Sequence, residues 1–171
     1  CGMIMGLTAE NLAMMYGLSQ EDQDKFAVNS HKKAFMATRK GCFRDEIVPV
    51  RVSKKVAGQE VAFEDIIQDE CINPTLTVQK AAMYPTVFKN GGTCTPANAC
   101  PISDGAAAVF VMTADKARDL GLQPMATIRG YAYAGVPPEI MGLGPAYAVP
   151  KALKRAGLKL ADIDLIEINE A

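Results

Sequence analysis

Apolar positions along the chain recur with two periods, one helical and one strand-like. In LTAENLAMMYG (7–17), Leu12, Met15 and Tyr16 share one helical face. Thr8 is the expected N-cap, Glu10 suits the positive helix start, and Gly17 is the stop. LSQEDQDKFAVNSHKKAFMATRKG predicts a longer helix capped by Ser19. Glu21 and Asp22 lie in its first turn, Arg39 and Lys40 in its last, and Gly41 follows as terminator. Phe26, Ala27, Ala34 and Met36 are its expected apolar positions. DEIVPVRV and GQEVAF predict two strands around a turn at Ala57-Gly58. TLTVQKAAMY predicts a short helix halted before Pro85.

KNGGTCTPANACPISDG is the longest irregular stretch, rich in Gly, Thr, Asn and Pro. Long loops of that kind often carry function, although an ordinary connector has the same composition. Beyond it the texture changes. AAAVFVM (106–112) predicts a strand buried on both faces. TADKARDLG predicts a helix capped by Thr113 and ended by Gly121, and ATIRGYAYAG (126–135) alternates as a strand. GPAYAVPKALKRAG predicts a helix with Pro145 or Pro150 in its first turn. DLIEI (164–168) closes the chain as a half-buried strand that ends in Asn169, Glu170 and Ala171. Strand–helix–strand–helix–strand is an α/β half-domain. Residues 1 to about 100 form a separate, mainly helical unit with a hairpin.

Composition narrows the function classes. Half of the 171 residues are apolar and the net charge is −1. The paired basic residues Lys32-Lys33, Arg39-Lys40 and Lys54-Lys55 are read as solvated faces, and a dedicated nucleic-acid binder would need a basic excess. No run approaches the roughly 20 apolar residues of a membrane helix. The five cysteines are odd in number and irregularly spaced, which disfavours a disulfide framework and fits a reducing compartment. With one histidine, His31, and no Cys-x-x-Cys, a metal site is not expected.

Two motifs fail as catalytic signatures. GLGPAY has Gly142 and Gly144, but Tyr147 stands where a dinucleotide loop needs its third glycine, so these glycines are read as a tight helix entry. A nucleophile needs a base beside it. Five thiols and one mid-helix histidine offer no convincing pair, so the thiols are read as small core residues and His31 as a surface or packed residue. From the residues alone, the chain holds a binding loop and a polar strand end without a complete catalytic apparatus.

Five blocks then resemble the thiolases, acyl-CoA acyltransferases, in order and with matching spacing. They are MGLTAENLAMMYGLSQEDQDKFAVNSHKKA, FRDEIVPV, GTCTPANACPISDGAAAVFVM, MGLGPAYAVPKALKRAG and DIDLIEINEA. The resemblance implies the α/β class, as a fragment of the thiolase fold: a layered αβαβα core with a mainly helical loop domain. Residues 1–102 would be the CoA-binding loop domain without its start, 103–123 the last strand and helix of the N-terminal core half, and 124–171 the first part of the C-terminal half. The nucleophilic cysteine would lie upstream of Cys1. The Gly-His-Pro histidine and the acid/base cysteine would lie downstream of Ala171, so the isolated chain is expected to be inactive.

Residue by residue, the resemblance implies that Asn169 holds a water of the thioester oxyanion hole. Ala171 would lie beside bound acyl-CoA, and Met5 would line the pantetheine–acyl tunnel. Phe88 would lie near the coenzyme, and Ala97 and Cys100 would contact pantetheine. Ile4 departs from the histidine of many biosynthetic members, and Cys100 stands where serine is common. The implied partner is acyl-CoA or CoA as substrate, with no resident cofactor, no metal, no nucleic acid and no membrane span. The parent is expected to be a homodimer or homotetramer in the cytoplasm, or in mitochondria or peroxisomes if eukaryotic. The alternatives are a non-catalytic acyl-CoA-binding relative and a stand-alone α/β interaction module.

Overall fold

A computed structural model of the chain describes residues 2–56 and 58–171, apart from the side chains of 54–56 and 59–62. Cys1, the Ala57 half of the expected turn and the side chains of Lys54-Lys55 therefore lie outside the described residues. The chain divides into two compact units, one of Leu18–Pro101 and one of the residues through Gly17 together with Ile102–Ala171.

In the Leu18–Pro101 unit, helix α2 spans Gln20–Arg39, as its caps predict. The Ser19 hydroxyl accepts from the Asp22 N–H at 3.1 Å and donates to the Asp22 carboxylate at 2.6 Å. The Ser19 N–H also donates to Asp22 Oδ2 at 3.4 Å, so two backbone N–H groups of the helix start are satisfied locally. The inward face differs from the expected one. Asp24 and Val28, four residues apart, are buried, whereas Phe26 and Met36 are exposed. The helix is turned by what it packs on. Val28, Leu76, Ala81 and Ala97 make a small core, and Val78 lies against it.

The hairpin pairs strand β1 (Val50–Val56) antiparallel with β2 (Gln59–Ile66), from Val50↔Ile66 to Val56↔Gln59, with a register shift between Lys54 and Lys55. β1 starts later than the pattern predicts, directly after Pro49, which has no N–H to give to a ladder. Helix α3 (Val78–Ala81) is capped by Thr77, whose hydroxyl accepts from the Lys80 N–H at 3.2 Å.

In the other unit, helix α1 spans Met5–Tyr16 and stops at Gly17 in the left-handed region (φ 64°). Thr8 is not its N-cap. The helix begins three residues earlier, and the Thr8 hydroxyl donates back to the Met5 carbonyl at 2.7 Å, the local bond a threonine makes inside a helix. The buried residues of α1 are Thr8, Glu10 and Ala13, while Met15 and Tyr16 are exposed, contrary to the expected face. A 3-10 segment, Pro138–Leu143, packs on α1, and the Asn11 amide donates to the Glu139 carbonyl at 3.0 Å. Gly142 serves this contact, since a Cβ there would stand 2.7 Å from Leu12 Cδ1.

Helix α5 (Gly144–Ala156) follows directly, with Pro145 in its first turn and Pro150 in its interior. Gly142 is thus the close-packed position of this helix entry, and Gly144 opens α5 with open space beside it. Helix α4 (Ala114–Asp119) is capped by Thr113 as expected.

The expected strands at 106–112, 126–135 and 164–168 carry no ladder; among the described residues the sheet consists of β1 and β2. The physical reason is that a strand exists only against a neighbour about 4.8 Å away. Phe110 is 97% exposed, so the apolar run is not covered on either side as its pattern demands. Residues 130–131 do touch α5. A Cβ on Gly130 would lie 3.2 Å from Ala156 Cβ, and Arg155 Nη1 donates to the Tyr131 carbonyl at 2.8 Å.

Candidate functional site

The irregular stretch is organised around a polar turn at residues 93–98. Asn98 uses both ends of its amide. Its Nδ2 donates to Asp24 Oδ1 at 2.9 Å and to the Thr93 carbonyl at 3.0 Å, and its Oδ1 accepts from the Thr95 N–H at 2.8 Å. The Thr95 hydroxyl accepts from the Ala97 N–H at 3.2 Å. Gln23, beside Asp24 on α2, donates to the Thr93 hydroxyl at 2.8 Å, and the Cys94 thiol lies 3.8 Å from Gln23 Oε1. Two successive residues of one helix therefore grip the turn. Asp24 is 1% exposed, and its Oδ2 is buried without a hydrogen-bond partner.

This turn positions the three expected site residues of the Leu18–Pro101 unit. Ala97 is 8% exposed and its methyl belongs to the core with Val28, Leu76 and Ala81. Cys100 follows at the surface as a free, exposed thiol. Phe88 is half-buried and adjoins Val87, whose N–H donates to the Cys94 carbonyl at 3.1 Å. In the other unit, Met5 opens α1 and is half exposed, with Ile4 extended before it. Asn169 and Ala171 are exposed, and Asn169 Oδ1 accepts from the Ala171 N–H at 2.9 Å.

Sequence reasoning missed Gln23, Asp24 and Asn98. Asp24 stands one turn before Val28, a spacing that places it on the core face, but an aspartate there reads as a solvated helix residue. The thiols also need correction. Cys94 is buried, but Cys42, Cys71 and Cys100 are exposed, because they lie in irregular segments away from the small core. His31 is a packing residue, its Nδ1 accepting from the Asn73 N–H at 3.1 Å.

The shifted ionisable groups lie on the outer surface of α2. The Ser19 hydroxyl, then its N–H, holds the Asp22 carboxyl below its ordinary value, and the Glu21 carboxylate, 2.7 Å from Lys25, raises the lysine. Among the described residues no group of three His, Cys, Asp or Glu side chains could hold a metal ion, and no helix is long and apolar enough to cross a membrane.

Comparison with known proteins gives this geometry a context. The thiolase N-terminal domain family matches residues 1–115 and the thiolase C-terminal domain family matches residues 122–171. The chain is 47% identical over all 171 residues to the peroxisomal 3-ketoacyl-CoA thiolase B of Rattus norvegicus, 40% of whose length it covers. It superposes on the crystal structure of the Bacillus anthracis acetyl-CoA acetyltransferase with a TM-score of 0.93 at 40% identity, covering 99% of this chain and 42% of that one. On human mitochondrial 3-ketoacyl-CoA thiolase in complex with CoA the TM-score is 0.87 at 40% identity, covering 98% of this chain and 40% of that one. The chain thus spans about 40% of the length of the relatives it matches. Its path is that of the α/β thiolase fold, including the segments that lack ladders here. With both domain families matched in order across nearly every residue, the chain belongs to the thiolase family.

Proposed function

We propose that the protein containing this chain transfers acyl groups between CoA thioesters, by Claisen condensation or by thiolysis of 3-ketoacyl-CoA. The observation that carries this reading is the continuous match to both thiolase domains, at 47% identity to a 3-ketoacyl-CoA thiolase. The chemistry makes an oxyanion from a thioester carbonyl, which demands donors held in advance of the reaction. On this reading Asn169 supplies such a donor through a water. Met5, Phe88, Ala97, Cys100 and Ala171 line the path of the acyl-pantetheine arm. The CoA thioester is substrate, and no resident cofactor is invoked. The extended segments 106–112, 126–135 and 164–168 find their sheet neighbours in the remainder of the parent, whose assembly is a homodimer or homotetramer. Its compartment is the cytoplasm, with mitochondria or peroxisomes as the alternative if the source is eukaryotic.

The test is turnover by the full-length gene product. Purified enzyme should cleave 3-ketoacyl-CoA in a CoA-dependent reaction, and residues 1–171 alone should not exceed a heat-killed control. In this chain the single histidine accepts from the Asn73 N–H at its Nδ1. A full-length protein that binds acyl-CoA without turnover would replace the enzyme with a carrier. Thiolysis by the isolated chain would overturn the division of labour.

A further inference from the structure

We propose that Asp24 is a positioning residue for acyl-CoA binding, holding the 93–98 turn in register through Asn98. This rests on the acyl-transfer reading above, in which the exposed Cys100 lines the substrate path.

Asp24 is poorly explained as a stability device. Its site on α2 is one turn from Val28 and almost fully buried, so an apolar side chain would serve packing there. The carboxylate instead leaves Oδ2 buried with no partner, an arrangement that costs folding free energy. What the carboxylate does is accept one of the two Asn98 Nδ2 hydrogens while the other goes to the Thr93 carbonyl. That fixes the plane of the Asn98 amide and aims its Oδ1 at the Thr95 N–H. The backbone from Thr93 to Asn98 is thereby referenced to α2, whose own start is held by the Ser19–Asp22 capping box. Gln23 grips the same turn through the Thr93 hydroxyl, so neighbouring residues hold its beginning and its end. Cys100, two residues beyond Asn98, is exposed, so a displacement of the turn reaches the surface without passing through another anchored element. Small misplacements of binding groups are costly even when the groups themselves are intact.

The experiment is a double-mutant cycle in the full-length enzyme with Asp24→Ala, Asn98→Ala and the pair, together with Asp24→Asn. Asp24→Ala should raise KM for the acyl-CoA substrate about tenfold with kcat within about twofold, the signature of lost binding common to ground and transition states. Asn98→Ala should do the same, and the pair should be no worse than either alone, because both remove one linkage. Asp24→Asn keeps an acceptor for Asn98 Nδ2 and should recover most of the KM. If Asp24→Ala does not fold, Asn98→Ala and Asp24→Asn still decide the matter. Unchanged KM in Asn98→Ala, or additive effects in the pair, would overturn the positioning role and leave Asp24 as a core residue. A wild-type enzyme that turns over no acyl-CoA would overturn the acyl-transfer reading first, and this inference with it.

Discussion

The turn at 93–98 and the run at 106–112 lie close in sequence and differ in what completes them. The turn is finished by side chains near at hand. Asn98, Thr95, Gln23 and Asp24 satisfy its backbone, and Val28, Leu76, Ala81 and Ala97 supply a small core beneath it. The run is a fully apolar strand pattern with no ladder partner among the described residues, and its Phe110 stands open to solvent. A polar turn can be closed by a few hydrogen bonds from one helix. A buried strand requires two flanking ladders and two covered faces, which come from distant chain. Residues with a strong sequence signal for burial are thus exposed in this chain, and an aspartate, a residue type that reads as solvated, is among the most buried.

The sharpest way to break this contrast is to truncate one apolar residue in each region. Leu76→Ala should destabilise the 18–101 unit of the isolated chain by about 2–5 kcal/mol, the usual range for a core leucine. Phe110→Ala in the same chain should stay within about 0.5 kcal/mol, as for an exposed residue. In the full-length protein Phe110→Ala should become costly, about 3–5 kcal/mol, if the parent covers it. Denaturant unfolding of both lengths makes the comparison, and equal losses for Phe110→Ala in the two lengths would erase the distinction.

The next largest effect concerns Asn169, at the end of the unpaired closing segment. Asn169→Ala in the full-length enzyme should lower kcat by up to about 10²–10³, the cost of one oxyanion donor, and less if a second water takes its place. Its observed bond to the Ala171 N–H supports a rival structural role. That role would lower the melting temperature, by about 1 kcal/mol of stability, and leave kcat unchanged.

On the proposed acyl-transfer reading, Met5→Lys should raise KM in the full-length enzyme by about tenfold or more, since a charge placed on the acyl path must be desolvated. Lys54→Ala, on the hairpin, should leave KM as it is. Equal KM values for Met5→Lys and wild type would remove Met5 from the substrate path.

The smallest effect belongs to the start of α2. Ser19→Ala should cost about 1 kcal/mol as a lost N-cap. The Asp22 half of the capping box has a definite pH sense. Its carboxyl is held below the ordinary value of 3.8, so its contribution is present above that value and lost as pH falls through the lowered folded value. In Ser19→Ala this acid-side dependence should shrink. A pH titration of stability for wild type and variant over the acid range reads it, and parallel curves would separate Asp22 from the cap.

Local chemistry made much of the fold legible. Ser19, Gly17, Thr113 and Pro145 marked helix limits within a residue or two, because caps and breakers act through bonds spanning three or four positions. Thr8 was misleading for the same local reason: its hydroxyl can cap a helix or bond back within one, and α1 continuing to Met5 selects the second. The candidate site residues Asn169, Met5, Phe88, Ala97, Cys100 and Ala171 came only from resemblance, through the five thiolase-like blocks. Their spacing alone pointed no further than a loop and a strand end.

By itself, then, the amino-acid order determined where the helices and the hairpin lie, the irregular character of residues 89–105, and membership of the thiolase family. Tertiary structure alone decided which helix faces turn inward, as with Asp24 and Val28 in place of Phe26 and Met36. It alone decided that Gly142 admits Leu12, that Asn98 is held by Asp24, and that three strand-like segments go without ladders. The physical reason is one of range. Capping and turn preferences are properties of a few adjacent residues, whereas burial and strand pairing belong to two surfaces at once, and the second surface is not written in the first.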